Sequence, residues 1–191
     1  AGGATLTFDM AYDIEGEWDF LFVQASTDGG ANWNTLTNAN TVCTHDASWV
    51  GELNGLPTDM CAAGIGGFTY WNANFPDYDT ETMDLPAATY GGQNVTLRFW
   101  YMTDWGTEYA GPFIDNIEVT GATPADVLFT DGAEVDDGRW TYVPAFQRTN
   151  GSMSFEHSLY LQWRNTSATG GYDAGLGDPR YRYGPANSGL L

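Results

Sequence analysis

Basic residues are scarce in this sequence. It contains six arginines and no lysine against 25 acidic residues, which gives a formal net charge of -19 at neutral pH. Such a surface repels phosphate backbones and anionic lipid headgroups, and this argues against binding to nucleic acid or to a membrane surface. The excess of carboxylates suits divalent cations, calcium above all. Solubility, or adaptation to a salty environment, is the alternative explanation of the same charge.

Long apolar runs are also missing. No stretch of about 18 apolar residues occurs, so we expect no membrane insertion. No leader peptide is visible, because residues 1–3 open directly into a strand pattern. We therefore expect the chain to start at a mature or internal boundary.

Motifs for catalysis are not found. A zinc peptidase needs a His-Glu-x-x-His helix, and this chain has only His45 and His157, which lie far apart. We expect His157 to be an ordinary histidine at the start of a strand. The Gly-x-Ser-x-Gly elbow of serine hydrolases is absent as well. Acidic residues are so abundant that no particular pair points to glycoside hydrolysis.

Only two cysteines are present, Cys43 and Cys61, and they bracket a loop rich in Asn, Asp, Gly and Thr. Closing this loop by a disulfide would stabilise the fold by roughly 3 kcal/mol on the chain-entropy view. A disulfide also predicts an extracytoplasmic location. Two free buried thiols are the alternative. Zinc is a weaker one, because only His45 lies near and the spacing fits no zinc knuckle.

Apolar residues are plentiful, and they follow strand patterns. Residues 5–12 alternate between apolar and polar, as in a strand with one buried face. Residues 20–25 are apolar on both parities except Gln24, which predicts a strand covered on both sides. Ser-Thr-Asp-Gly-Gly at 26–30 then predicts a hairpin turn, with a new strand opening near Trp33.

Further strand patterns follow, separated by Gly, Asp and Pro turns, at 33–37, 82–85, 94–102 and 113–119. Residues 68–71 fit either a short strand or an aromatic loop. Residues 38–66 are rich in turn formers and read as a long loop tied by the cysteines. No segment among these has the 3.6-residue period of a helix. The pattern predicts an all-β domain over residues 1–121, an antiparallel two-sheet β-sandwich or jelly roll.

A boundary is expected at residues 121–124, where Gly-Ala-Thr-Pro occurs. Residues 122–191 show strand patterns near 127–129 and 157–164, followed by an irregular tail rich in Gly, Asp and Tyr. We expect this C-terminal segment to be mostly β or irregular. It is too poor in periodic apolar residues to bury a complete core, so it should pack on the sandwich or on a domain absent from the sequence.

Several motifs resemble a known family. Tyr-Asp-Ile-Glu at 12–15, Trp-Asp-Phe at 18–20 and Val-Gln-Ala-Ser-Thr-Asp-Gly-Gly at 23–30 resemble the opening of the MAM-like jelly roll in secreted bacterial metallopeptidases of the immune inhibitor A type, peptidase family M6. Residues 95–104 and Ile-Asp-Asn-Ile at 114–117 are similar to its later strands.

The resemblance continues into the C-terminal segment. Asp-Gly-Ala-Glu at 131–134, His-Ser-Leu-Tyr-Leu-Gln-Trp-Arg at 157–164 and Gly-Tyr-Asp-Ala-Gly-Leu at 171–176 resemble the region that follows the jelly roll, and residues 189–191 look like the start of a further strand. Gln162 departs from the family, which usually has an acidic residue there. The resemblance implies a non-catalytic accessory region of a secreted zinc peptidase. Its zinc would lie in a catalytic domain absent here, and that domain of the same polypeptide would be its partner.

Calcium is the sharpest site hypothesis. Asp115 shares strand parity with Phe113, Ile117 and Val119, so it should face the core unless it lies in water at the end of the strand. A core-facing carboxylate is costly unless it is paired or bound to a metal. The resemblance implies a structural calcium between the first strands and the last one. The predicted ligands are Asp115, Glu15 and Asp19, with Asp13 or Glu17 as substitutes. A hydrogen-bonded aspartate without calcium is the alternative.

Exposed-looking aromatic residues offer a second kind of site. Trp71 and Trp105, together with Tyr70, Trp100 and Tyr109, could form a platform on which sugars stack, although packing is the commoner use of such residues. An extracellular adhesion or carbohydrate-binding module, with a protein or glycan partner at the cell surface, is therefore the alternative function. A structural subunit that pairs through open strand edges is a third.

Overall fold

The structure is a computed structural model that describes residues 2–143, 146–149, 163–164 and 189–190. The chain forms two compact units, Ala1–Asn150 and Gly151–Leu191. The described residues of the first unit form eight strands, a 3-10 helix at Gly51–Asn54 and one short helix, α1 (Ala87–Tyr90). The strands are β1 (Ala4–Ile14), β2 (Phe20–Ser26), β3 (Asn34–Leu36), β4 (Tyr70–Trp71), β5 (Asp79–Leu85), β6 (Thr96–Met102), β7 (Gly111–Thr120) and β8 (Val127–Asp131).

Two antiparallel sheets make up the first unit. In the first sheet, β1 pairs with β7 on one side and with β4 and β5 on the other, and β8 extends it beyond β7. In the second sheet, β2 lies between β3 and β6. The predicted all-β, two-sheet antiparallel sandwich is therefore confirmed.

The core between the sheets follows from the alternation in β1. Leu6, Phe8 and Met10 are fully buried, whereas the residues between them are only partly covered. The Phe8 ring contacts the rings of Phe68 and Phe99 at centroid distances of 6.3 and 5.2 Å, and Phe99 belongs to the second sheet. Edge-to-face contacts of this kind hold the two sheets together.

A second core covers the outer face of the second sheet. Every residue of β2 is buried, as its apolar run predicts. Phe20 and Phe22 point away from the first sheet and pack against Trp49 and Trp100. The loop between β3 and β4 supplies Trp49, and Cys43 and Cys61 within that loop form the predicted disulfide.

The first unit extends beyond residue 121, where the sequence pattern places a boundary. Glycine and proline there form a tight connection, after which β8 returns to pair with β7, Ile117 lying opposite Asp131. Trp140 then packs against Phe99 and Phe129. In the second unit, β9 (Trp163–Arg164) pairs antiparallel with β10 (Gly189–Leu190). His157 and Gln162 lie outside the described residues.

An ion pair between Arg148 and the buried Asp131 holds the segment after β8 against that strand. Asp131 is buried and accepts hydrogen bonds from Arg148 and from the Trp140 indole. The hydrogen bonds from Arg148 hold the pKa of the Asp131 carboxyl below its ordinary value. The ionised carboxylate therefore stabilises the folded protein above its unfolded pKa, and this contribution is lost as the pH falls through the lowered folded pKa.

We expect Asp131→Asn to lower the free energy of unfolding at neutral pH by about 1–3 kcal/mol, because the partly buried Arg148 guanidinium loses its ionic partner. The difference from the wild type should shrink in acid. Urea unfolding at neutral and acidic pH measures both effects. Glu118→Gln, which removes one charge from the partly exposed middle of β7, is the control and should change stability little. Equal destabilisation by both variants would contradict the role of the ion pair.

Candidate metal centre

Three carboxylates meet at one end of the sandwich. Glu15, Asp19 and Asp104 each offer an oxygen, and these oxygens all lie within 4.8 Å of one another. Glu15 and Asp19 belong to the turn between β1 and β2, where the N–H groups of Trp18 and Asp19 both donate to the Glu15 carbonyl. Asp104 belongs to the loop after β6. Because β2 and β6 are neighbours, with Phe20 opposite Met102, the two loops meet at the same end.

Asp19 is the central residue of this cluster. Its side chain is buried, with 3% of the residue exposed. One carboxylate oxygen accepts a hydrogen bond from the Asp104 N–H at 3.0 Å, and the other accepts one from the Tyr101 hydroxyl at 3.2 Å. These bonds fix the direction of the carboxylate and tie the β1–β2 turn to the end of β6.

The cluster is electrostatically unfavourable by itself. Burial raises the pKa of Asp19, and the negative charges of Asp104 and Glu15 raise it further, while its two hydrogen bonds oppose the shift. Burial and the nearby Asp19 charge also raise the pKa of Tyr101. In addition, the Glu15 Oε2 atom is buried and has no hydrogen-bond partner among the residues that the structure describes. A buried carboxylate oxygen without a donor is costly, and a cation would relieve that cost.

The donor set suits a hard cation. All three side chains offer carboxylate oxygens, which calcium prefers, and calcium completes its six to eight ligands with carbonyl oxygens and water. Cys43 and Cys61 are consumed by their disulfide, so they offer no thiolate to zinc. His45 stacks on Trp49 and bonds the carbonyls of Asp46 and Thr58 through its two ring nitrogens. It is thus held within the disulfide loop.

Asp115 lies elsewhere. Its Cα partner is Asp9, on the side of β1 opposite to the core-facing Phe8 and Met10. The prediction that Asp115 faces the core is wrong, because β7 contains an extra residue between the partners of Thr7 and Asp9. Asn116 takes up that extra residue with φ at 47°. Such a bulge reverses the parity of the strand.

The two predicted substitutes lie beside the cluster. Asp13 is near the end of β1 and pairs with Trp71 on one side and Gly111 on the other. Glu17 follows Glu15 in the turn with φ at 65°, and its N–H donates to the Thr69 hydroxyl. The structure thus brings Glu15 and Asp19 together, places Asp13 and Glu17 next to them, and replaces Asp115 with Asp104. The signal for Asp104 was its position just after the strand pattern at 94–102.

The aromatic residues separate into two places. Trp71 and Trp105 are 64% and 81% exposed, and both belong to segments at the carboxylate end of the sandwich, as do Tyr70 and Tyr109. Trp100 lies instead on the outer face of the second sheet, where it packs on Phe22. The Arg98 guanidinium stacks over the Trp100 and Trp33 rings there.

These observations define a two-sheet antiparallel β-sandwich module with no catalytic motif in its sequence and an acidic cluster at one end. A family model described as "Immune inhibitor A-like, MAM domain" matches residues 1–151. The chain therefore belongs to the family of immune inhibitor A-like MAM domains.

One relative is much longer than this chain. Immune inhibitor A of Bacillus thuringiensis subsp. alesti is 29% identical over 192 residues, and the match covers 100% of this chain and 23% of that protein. The chain thus spans less than a quarter of the length of the relative. Among the described residues, no helix is long and apolar enough to cross a membrane.

Proposed function

We propose that this chain is a non-catalytic accessory region of a secreted zinc metallopeptidase of the immune inhibitor A type, where it stabilises the catalytic domain or positions substrate. The observation that carries the proposal is a family match over most of a chain whose sequence has no His-Glu-x-x-His motif. The disulfide supports an extracytoplasmic location, since cytosolic thiols are kept reduced.

Calcium bound by Glu15, Asp19 and Asp104 is the second part of the proposal. The unpartnered Glu15 Oε2 and the raised pKa of Asp19 support it, because both identify negative charge that the described residues leave uncompensated. A cation here would join the β1–β2 turn to the β6–β7 loop. Its role would be structural, since it would connect loops whose strands lie in different sheets.

The accessory role is tested by assaying this chain alone on casein in the presence of zinc and calcium. We expect no cleavage, and we expect the coding sequence upstream to contain a His-Glu-x-x-His motif. Metal-dependent cleavage by the purified chain would show that it carries its own active site. An upstream coding sequence without a zinc motif would remove the peptidase context.

A further inference from the structure

Four exposed aromatic residues lie at the carboxylate end of the sandwich. We call Tyr70, Trp71, Trp105 and Tyr109 the aromatic rim; they are between 39% and 81% exposed. Tyr70 and Trp71 form β4 beside the end of β1, and their rings are in contact at 6.1 Å. Trp105 and Tyr109 belong to the β6–β7 loop, which begins at the Asp104 cluster and ends at Gly111, opposite Asp13.

The rim is fastened to the acidic turn. The Thr69 hydroxyl accepts from the Glu17 N–H and donates to the Glu15 carbonyl. The Tyr70 ring lies directly over Gly16, where a Cβ atom would come within 2.2 Å of it. Tyr70 and Glu17 both have positive φ, at 70° and 65°. The backbone is therefore strained at Tyr70 and Glu17, and in this conformation the Tyr70 ring lies at the surface rather than in the core.

The surroundings of the rim are negative. Asp13 lies opposite Trp71 in the sheet, and Glu108 precedes Tyr109. Glu17 lies beside Tyr70; burial raises the pKa of the Tyr70 hydroxyl, and the Glu17 charge raises it further. The turns and loops of this end, residues 12–19, 68–78 and 103–111, contain no arginine, and the chain has no lysine. Exposed ring faces next to carboxylates attract guanidinium and ammonium groups, which combine cation–π contact with ion pairing.

We propose that the aromatic rim binds an extended basic peptide segment, rich in arginine or lysine, of a protein partner. Charge complementarity decides for this occupant, because a net charge of -19 steers cationic chains toward the surface. A neutral saccharide would use the ring faces but gain nothing from the carboxylates. If the proposed accessory function holds, the rim would select basic segments of the peptidase substrate. Only this identification of the partner rests on the proposed function; binding of a basic peptide does not.

The test is fluorescence anisotropy with a labelled peptide of about ten residues that alternates arginine with glycine and serine, in calcium-containing buffer. We expect Trp71→Ala and Trp105→Ala each to weaken binding by about threefold to tenfold. Asp13→Asn should weaken it as well. Raising the salt from about 0.05 to 0.5 M should reduce the affinity by at least tenfold, since the Debye length shortens to a few ångströms.

Matched controls separate local from general effects. Glu118→Gln removes the same charge as Asp13→Asn, but from the part of the first sheet far from the rim, and Leu53→Ala removes an exposed apolar side chain from the disulfide loop. Both should bind like the wild type. Melting temperatures verify that each variant is folded.

Equal loss in Asp13→Asn and Glu118→Gln, or full binding by the tryptophan variants, would overturn the proposal. Tryptophan-dependent binding of neutral glycans without peptide binding would overturn it too. Melting temperature tests the calcium proposal, whereas tryptophan-dependent peptide binding tests the aromatic rim. Either proposal can therefore fail without the other.

Discussion

Replacing Cys43 and Cys61 together with serine is expected to lower the free energy of unfolding by about 3 kcal/mol. The disulfide closes a loop with a sequence separation of 18 residues, and the chain entropy released on opening it has this magnitude. For a unit of this size the loss corresponds to a fall in melting temperature of about 6–12 °C.

The loss should be concentrated in the second core. The disulfide loop carries Trp49, Leu56 and Met60 onto Phe20 and Phe22, so a loosened loop uncovers two rings that are fully buried in the native protein. We therefore expect the serine variant to bind a hydrophobic dye such as ANS more strongly than the wild type before it unfolds.

Calorimetry of the wild type, of the wild type with reductant and of the double serine variant is the measurement. Reductant should reproduce the loss in the wild type and change nothing in the variant. If the variant and the reduced wild type melt at the temperature of the oxidised protein, the loop does not depend on its covalent closure, and the argument for an oxidising compartment is weakened.

Calcium at about one hundred times its dissociation constant is expected to raise the free energy of unfolding by about 2.7 kcal/mol, because it binds only the folded protein. The melting temperature should rise by about 5–11 °C over that in EDTA. The physical reason is the cluster of Glu15, Asp19 and Asp104. Repulsion among the three carboxylates and the Glu15 oxygen without a donor both destabilise the folded protein when no metal is bound, and a bound cation would remove this cost.

Two aspartates provide a matched comparison for this prediction. Asp104→Asn should abolish most of the calcium-dependent rise in melting temperature. Asp115→Asn removes the same charge from β7, on the face of the first sheet that points away from the core, and should keep the rise. Asp104→Asn should also melt at or above the wild-type temperature in EDTA, since it reduces repulsion around Asp19. If the calcium-dependent rise is instead lost in Asp115→Asn and kept in Asp104→Asn, then Asp115 is the ligand, as strand parity alone predicts.

The calcium effect should also depend on pH. Burial and the charges of Asp104 and Glu15 raise the folded-state pKa of Asp19, so the folded protein without metal binds a proton more readily than the unfolded chain. Without calcium, this group therefore adds stability as the pH falls through its raised pKa. With calcium the sign reverses, because protons compete for the ligands. The rise in melting temperature caused by calcium should shrink as the pH falls toward the raised pKa; a constant rise would exclude Asp19 as a ligand.

Most of the sandwich could be predicted from local pattern. The alternation at Leu6, Phe8 and Met10 gives β1 its one buried face. The apolar run of β2, broken only by Gln24 within residues 20–25, gives that strand two buried faces. The hairpin between β2 and β3 forms where Ser26 and Asp28 supply their side-chain oxygens to the turn. In each of these cases, the residues that determine the structure lie close together in sequence.

The carboxylate cluster at the candidate metal centre was only half predictable, for the opposite reason. Glu15 and Asp19 share one turn, so their proximity follows from the sequence. Asp104 joins them through the pairing of β2 with β6, and sequence periodicity contains no information on that pairing. Asp115 was misplaced because parity counting assumes an unbroken strand. Asn116 inserts a bulge between Asp115 and the core-facing Ile117, so Asp115 lies on the face opposite to the one that its spacing predicts.

The position of β1 in the first sheet has a consequence for biosynthesis. Among the strands of this sandwich, β1 is synthesised before the others, yet it is a central strand of its sheet. One of its partners is β7, so Thr5 cannot pair until Thr120 has been synthesised. Until then the apolar face of β1 has no complete sheet to join, and pairings this distant along the chain form slowly. Chains truncated before residue 111 should accumulate as insoluble or chaperone-bound material.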